Sequence, residues 1–396
     1  MNQKLTLADL PIKGQNVLMR VDFNVPLDGQ KILDDTRLRE SVKSIRFVLD
    51  HGGRPILISH LGRPKGGKDP SFSLRSIVKR LQELTSAKVN FFEGPLQEAR
   101  PQAKEGEILL LENIRFEPGE EKPEKDPHLV DRLKSIGDCY VNDAFATSHR
   151  AHTSIVPLAQ AFKRKAAAGF LLEKEIKYIG ELLDHPKKPF FALIGGSKIS
   201  TKLGVLKSLL GKVDALFVGG GMVYTFMLAK GLKIGRSIHE KELVPQARRL
   251  LEEAEEKKIP FFLPVDLVVT DDISSPQKTE VVSIEDGIPD GLEGVDIGPK
   301  TIELFSKRLT QAKSVIWNGP FGVYEHPPFD KGTLAVAKIL ADLKADVVVG
   351  GGDSVAAVER GGYGAHMTHL STGGGATLEY LEQGSLPGIA ALTDKV

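Results

Sequence analysis

Residues 346–358 read DVVVGGGDSVAAV. An apolar run enters three glycines and a helix-forming segment leaves them. An apolar run without alternation suits a parallel strand buried on both faces. Glycines at its end let backbone come close to a flat ring or a phosphate. Asp353 sits in the turn with Ser354 beside it, and a carboxylate there can hold Mg²⁺, a hard cation that seeks oxygen.

The same design recurs upstream. PFFALIGGSKISTKLGVL (189–206) and LFVGGGMVYTF (216–226) each run strand, glycines, helix, and STGGGATLEYL (371–381) offers another glycine-rich helix start. Further strand candidates are VLMRVDF (17–23), PILISH (55–60), ILLLEN (108–113), CYVNDAF (139–145), PFFLPVDLVV (260–269) and SVIWNG (314–319). Between them, SIVKRLQEL (76–84), LLEKEIKYIGELL (171–183) and LVPQARRLLEEAEEKK (243–258) carry apolar residues three or four apart, the helical spacing. Strands alternating with helices make right-handed βαβ units. The chain is therefore α/β, and its 396 residues exceed one typical core. The expectation is two doubly wound, Rossmann-like parallel-sheet domains, residues 1–168 and 190–375. A connector helix over 169–189, stopped by His-Pro-Lys-Lys-Pro, joins them as a hinge.

Open α/β sheets bind ligands at the carboxyl ends of their strands. In the N-terminal half the first strand ends in Asp22-Phe23-Asn24, and Arg37 follows at a helix start. Later strands lead to His60-Leu61-Gly62-Arg63, to Arg115, and to Arg150. Arginine suits bidentate binding of carboxylate or phosphate. Each arginine alone reads as a surface residue, but the set at equivalent strand ends reads as a site for a small, multiply charged anion. Asp22 and Asn24 are placed to orient hydroxyl groups on it. His149 and His152, with Cys139 upstream, match metal-site spacing only weakly.

In the C-terminal half Ser197 is placed to cap a helix, and Lys198 and Lys202 are spaced to share its first face. Cations are disfavoured at a helix N-terminus unless an anion binds there. A solvated lysine pair is the plain alternative. IWNGPFGVYE (316–325) turns through Asn318-Gly319-Pro320 and reaches Glu325, which can accept from ribose hydroxyls. Any one glycine run is an ordinary structural turn; four in one half favour a nucleotide.

Composition narrows the function further. The net charge of +1 argues against wholesale nucleic-acid binding. One cysteine allows no disulfide framework, as in a reducing cytoplasm. No apolar signal core opens the chain, and no stretch reaches the roughly 20 residues of a membrane span.

The motifs RVDFNVP, SHLGRPKG, LLENIRF, NDAFATSHRAHTS, IGGSKISTK, GGGMVYTF, WNGPFGVYE, GGGDSVAA and STGGGA occur in the order seen in phosphoglycerate kinases. The chain resembles that family over essentially its whole length, with a bacterial-type size. The resemblance implies reversible phosphoryl transfer between 1,3-bisphosphoglycerate with ADP and 3-phosphoglycerate with ATP, in glycolysis, by in-line transfer as two domains close. It implies a phosphoglycerate site of Asp22, Phe23, Asn24, Arg37, His60, Leu61, Gly62, Arg63, Arg115 and Arg150. It implies a Mg-nucleotide site of Gly195, Lys198, Lys202, Gly219, Gly220, Asn318, Pro320, Glu325, Gly351, Gly352, Asp353 and Ser354, with Asp353 on the metal. Arg37 and Lys198 match the residues that steady the moving group. A monomer is implied, with segment 376–396 returning to the first domain. Ser197 and Phe321 stand where some relatives carry other small or apolar residues, with no consequence expected.

Two other readings stay open on the residues alone: a kinase for a different small acid, and a non-catalytic anion-binding protein. Gly62-x4-Gly67-Lys68 is a P-loop decoy. Asp69 replaces the hydroxyl a P-loop needs, and no helix begins at once after it. The glycines and lysines there read as a surface loop.

Overall fold

The computed structural model describes residues 3–65 and 67–395. The chain divides into two compact units, Met1–Lys177 with Ser385–Val396, and Tyr178–Gly384. The division falls inside the helix Phe170–Asp184 rather than at its ends. The helix Gly375–Gln383 packs on Leu203–Leu210 in the second unit, so the return to the first unit begins at 385, not 376. That return is anchored by backbone: Leu5 N donates to Thr393 O at 2.8 Å, and Gly388 N to Ser148 O at 2.8 Å.

In the first unit, β1 (Asn16–Val21), β2 (Arg54–Ile58), β3 (Val89–Phe92), β4 (Ile108–Leu111), β5 (Cys139–Asp143) and β6 (Ala166–Ala168) form one parallel sheet in the order β3-β4-β2-β1-β5-β6. In the second, β7 (Phe190–Ile194), β8 (Ala215–Val218), β9 (Phe261–Phe262), β10 (Ser314–Asn318), β11 (Asp346–Gly350) and β12 (His369–Leu370) form another, ordered β9-β8-β7-β10-β11-β12. Every residue of β1, β5, β7 and β10 is buried, as in strands covered on both faces, including Arg20 within β1 and Asn142 and Asp143 at the end of β5. The strand order reverses between β1 and β5 and between β7 and β10, and a crevice opens at each such switch point.

The run 260–269 is two strands, not one. Its first part is β9, at the edge of the parallel sheet. Pro264 interrupts it, and Asp266–Thr270 becomes the centre of an antiparallel sheet between Thr279–Ser283 and Glu293–Ile297. Proline has no amide hydrogen for a ladder, so the chain changes sheets there. Among the described residues, no helix is long and apolar enough to cross a membrane.

Candidate active site

The ends of β1, β2, β4 and β5 bring the expected basic residues together. Asp22 follows β1 and is buried; its Oδ2 accepts from Arg37 Nη1 at 2.7 Å. Arg37 lies in the first turn of the helix Thr36–Asp50, where the dipole disfavours a cation, and Asp22 offsets this. Asn24 Oδ1 accepts from Gly62 N at 2.8 Å, and Gly62 O accepts from Arg115 Nη1 at 2.6 Å. The β1 and β2 loops are thus tied to one arginine. Gly62 has φ +61°, and a Cβ there would meet the Phe72 ring at 2.2 Å, so the turn needs glycine.

The electrostatics show how closely these cations crowd. Burial, then the charges of Arg20, Arg115 and Arg37, push His60 well below the ordinary imidazole range. His152 falls to about 4, through burial and then Arg115, Arg20 and Arg150. Arg115 is itself lowered by burial, against Glu121, with the like charges of Arg20 and Arg63 lowering it further. Arg63 and Arg150 are exposed, free to reach a ligand. Arg37 pairs with Asp22 and Arg115 with Glu121 at 3.0 Å, while among the described residues Arg63 and Arg150 have no ion pair, so the cluster keeps a positive excess that favours a polyanion.

Two members of the expected set do other work. Phe23 and Leu61 are core side chains; Phe23 N donates to Ser59 Oγ, and Leu61 O accepts from Asn113 Nδ2. They shape the loops and present no free group to a ligand through these atoms. Among the described residues no cluster of three or more His, Cys, Asp or Glu could hold a metal, so His149, His152 and Cys139 form no metal centre. In the decoy loop, Asp69 Oδ1 accepts from Ser71 N at 2.9 Å and opens a short 3-10 turn, Pro70–Phe72. Gly66 of that loop lies outside the described residues.

Three glycine turns interlock in the second unit. Gly195 N donates to Asn318 O, Gly196 N to Pro320 O, and Gly220 N to Phe321 O. A Cβ on Gly195 would meet Pro320 O at 2.2 Å, and one on Gly220 would meet Gly196 N at 2.7 Å. Much of the glycine demand therefore comes from turns packing backbone to backbone. Gly219 belongs to the same packing, against the Phe321 ring. Beside these turns opens a cleft of about 400 Å³. Of the residues named for a nucleotide, Gly220, Pro320, Glu325 and Asp353 line it. So do Tyr224, Ile238, Ile273, Glu293 and Val323, which the sequence reading missed. Ile238 and Ile273 come from irregular segments, where no periodicity marks a residue as functional.

Behind the cleft, Lys202 is buried and its Nζ donates to Asn318 Oδ1 at 2.5 Å. Burial lowers this lysine to about 8, against the raising effect of Asp353. Among the described residues Asn318 Nδ2 is sealed from solvent without a hydrogen-bond partner, and a Cβ on Gly351 would stand 3.2 Å from it. Gly351 has φ +92° and precedes the helix Gly352–Arg360, whose first amides lack intrahelical partners. Gly352 has open space where a Cβ would stand, and Asp353 is exposed. Ser354 is fully buried, and its Oγ accepts from Gly319 N at 2.6 Å, pinning the 318–320 turn to the helix start. Ser197 caps no helix, and the lysines share no helical face. A 3-10 turn, Ile199–Thr201, intervenes; the helix begins at Leu203, leaving Lys198 exposed and Lys202 buried at its cap.

Comparison with known proteins agrees with this architecture. Residues 7–384 match the family model described as phosphoglycerate kinase. The phosphoglycerate kinase of Chloroflexus aggregans is 50% identical over 404 residues, covering 100% of both chains. That of Herpetosiphon aurantiacus is 49% identical, covering 99% of this chain and 100% of its own. The solved phosphoglycerate kinase of Coxiella burnetii superposes with a TM-score of 0.89 at 38% identity, over 98% of each chain. That of Pyrococcus horikoshii gives a TM-score of 0.84 at 31% identity, also over 98% of each. The basic strand-end cluster in one unit, the glycine-lined cleft in the other and these full-length matches together establish that the chain belongs to the phosphoglycerate kinase family.

Proposed function

We propose that the strand-end site of the first unit and that of the second each bind one substrate of a phosphoglycerate kinase. The first unit takes the phosphoglycerate through Arg37, His60, Arg63, Arg115 and Arg150. Asp22, Asn24 and Gly62 hold those groups in place. The second unit takes ATP or ADP, with the base and ribose in the 400 Å³ cleft near Glu325 and the phosphates toward Lys202, Lys198 and the amides of Gly352 and Asp353. The observation that carries this reading is the crowding of Arg37, Arg115 and Arg150 around His60 and His152, a charge arrangement that calls for an anion with several negative groups.

Mg²⁺ fits the second site through Asp353. One exposed carboxylate at a helix start suits an ion held mainly by phosphate oxygens and water. When bound, it would neutralise phosphate charge. Asp353→Ala is expected to weaken Mg-nucleotide affinity by roughly tenfold or more, the loss of one charge-assisted contact. Phosphoglycerate affinity should stay within twofold or so, because that ligand belongs to the other unit. Separate calorimetric titrations decide it, and equal losses for both ligands contradict the assignment.

The acceptor carboxylate is already ionised, so the chain need supply no general base. Its task is to position the two ligands and offset charge on the moving phosphoryl group. Arg37 and Lys198 fill that role. Donor and acceptor belong to different units, so transfer requires them to be brought together. The helix Phe170–Asp184, through which the chain passes from one unit to the other, is the natural hinge. Sealing the ligands from water also protects the acyl phosphate from hydrolysis. The single cysteine, Cys139, is buried and free, which suits a reducing cytoplasm.

Gly195→Ala tests the interlocked turns. The added methyl meets backbone, which cannot rotate away, so the 318–320 turn must shift. The expected outcome is a loss of about 1–3 kcal/mol in the stability of the second unit, the usual overpacking range. Nucleotide affinity should fall with it while phosphoglycerate binding persists. Thermal denaturation and ligand titration measure both; wild-type values for each would show that the turns have slack. The activity itself is read in a spectrophotometric assay with ATP, Mg²⁺ and 3-phosphoglycerate, coupled to a dehydrogenase that reduces the product. Absence of signal overturns the reading.

A further inference from the structure

Beneath the anion site of the first unit lies a buried polar chain that, apart from His60, the roles above do not use. Arg20, in β1, is 1% exposed, and His60 is 3% exposed. Arg20 Nη2 lies 3.2 Å from His60 Nδ1. Arg20 Nε donates to Ser154 Oγ at 2.9 Å, and Nη1 donates to Val21 O. Ser154 Oγ in turn donates to Glu120 Oε1 at 2.6 Å, and Ser154 N to Glu120 Oε2 at 2.9 Å. Tyr140 OH donates to Ser154 O at 2.8 Å, so the serine is held from both sides. Glu120 is fully buried; burial raises its carboxyl, while the charge of Arg20 and the bonds from Ser154 act the other way and favour the anion that faces the arginine through the serine hydroxyl.

An arginine guanidinium has donors only and keeps its proton. His60 Nδ1 must therefore be the acceptor in the contact with Arg20. A neutral imidazole whose Nδ1 accepts carries its proton on Nε2. Burial and the surrounding arginines keep the ring neutral. Among the described residues Nε2 has no hydrogen-bond partner, and it is not one of the side-chain atoms sealed from solvent.

We propose that Arg20, held by Ser154 and Glu120, fixes His60 in the Nε2–H tautomer, so that His60 meets the phosphoglycerate as a neutral hydrogen-bond donor. Arg20 is thus a positioning residue. It acts through His60 and does not itself touch the substrate. The buried carboxylate has a matching purpose: it compensates Arg20 without placing a negative charge beside the incoming anion. The inference rests on the assignment of His60 to the phosphoglycerate site.

The test is long-range ¹H–¹⁵N correlation of the histidine rings in the full-length protein, with His60 assigned by a His60→Gln variant. The expected result near pH 7 is a single neutral Nε2–H tautomer, whose ring signals move on saturation with 3-phosphoglycerate. An Nδ1–H ring or an imidazolium in the wild type overturns the proposal. An Nε2–H ring that 3-phosphoglycerate leaves unmoved removes the substrate contact, and so separates failure of the site assignment from failure of the tautomer. Arg20→Met should give mixed tautomers and raise the phosphoglycerate KM about tenfold, with a smaller change in kcat. Arg20→Lys, which keeps a donor and the charge, should recover part of that loss. Should Arg20→Met fail to fold with Glu120 left unpaired, Ser154→Ala serves in its place. It loosens the arginine, and a His60 signal identical to wild type in that variant contradicts the relay.

Discussion

Arg37→Ala lowers kcat by roughly 10²- to 10³-fold, the range seen when one preorganised group facing transition-state charge is removed. Nucleotide affinity stays close to wild type, because Arg37 belongs to the first unit and the nucleotide cleft to the second. The substitution has a second effect that must be separated from the first. Asp22, with a side chain 5% exposed, keeps the Asn24 amide but loses the cation 2.7 Å away, and the first unit loses about 1–3 kcal/mol, the usual penalty when a buried charged group loses a partner. Arg37→Lys distinguishes the two. Lysine keeps a charge beside Asp22 and should recover most of the stability. It lacks the planar, two-pronged donor and should recover little of the turnover. Steady-state kinetics, nucleotide titration and denaturant unfolding on both variants give the result. Equal losses in turnover and nucleotide affinity contradict the role given to Arg37.

Lys202→Met weakens nucleotide binding by roughly 10- to 100-fold, the loss of a hydrogen bond from a charged donor to phosphate. The charge on this lysine is not secure in the free protein. Burial brings it to about 8, with the neutral Asn318 side chain as its direct partner. Below pH 8 it is mostly an ammonium that attracts phosphate. As pH rises through 8 the free protein loses that charge, so wild-type affinity should fall. A bound polyanion favours the charged form and raises its pKa, so binding near pH 8 to 9 should take up a proton. Calorimetry in buffers of different ionisation enthalpy detects that uptake. The methionine variant should show weaker binding with this pH step removed. A wild-type affinity that holds flat from pH 7 to 9 contradicts the buried-lysine assignment.

How legible these features were in the sequence depends on the kind of physics behind each. The strands β1, β2, β4, β5, β7, β8, β10 and β11 follow directly from apolar runs, because burial on both faces imposes that pattern. β6 is three alanines, which carry no strand signal; its pairing with β5 defines it. β3 and β12 are short, and tertiary pairing decides them as well. The strand-end rule pointed to Arg63, Arg115 and Arg150, since it depends on topology alone, and a helix start added Arg37. It did not single out Arg20, Glu120 and Ser154, whose partners lie far along the chain. In sequence, Arg20 is only a charged residue inside an apolar strand. The glycines were placed correctly at strand ends, but their chief reason was hidden. Gly195 and Gly220 are excluded from bearing side chains by neighbouring turns that no local pattern reveals. Lys198 and Lys202 show the same limit. Their spacing suggested one helical face, while the 3-10 turn between them leaves one exposed and buries the other.

The central claim is that each unit binds one of the two substrates. Amide NMR titration of the labelled, full-length protein tests it most directly. With 3-phosphoglycerate alone, the account predicts shifts at residues 22–24, 37, 60–63, 115 and 150, and little change in the second unit. With Mg-nucleotide alone, it predicts shifts at 195–202, 219–224, 318–325 and 351–354, and little change around His60. Both ligands perturbing the same unit, or 3-phosphoglycerate leaving the arginine cluster unmoved, would contradict it.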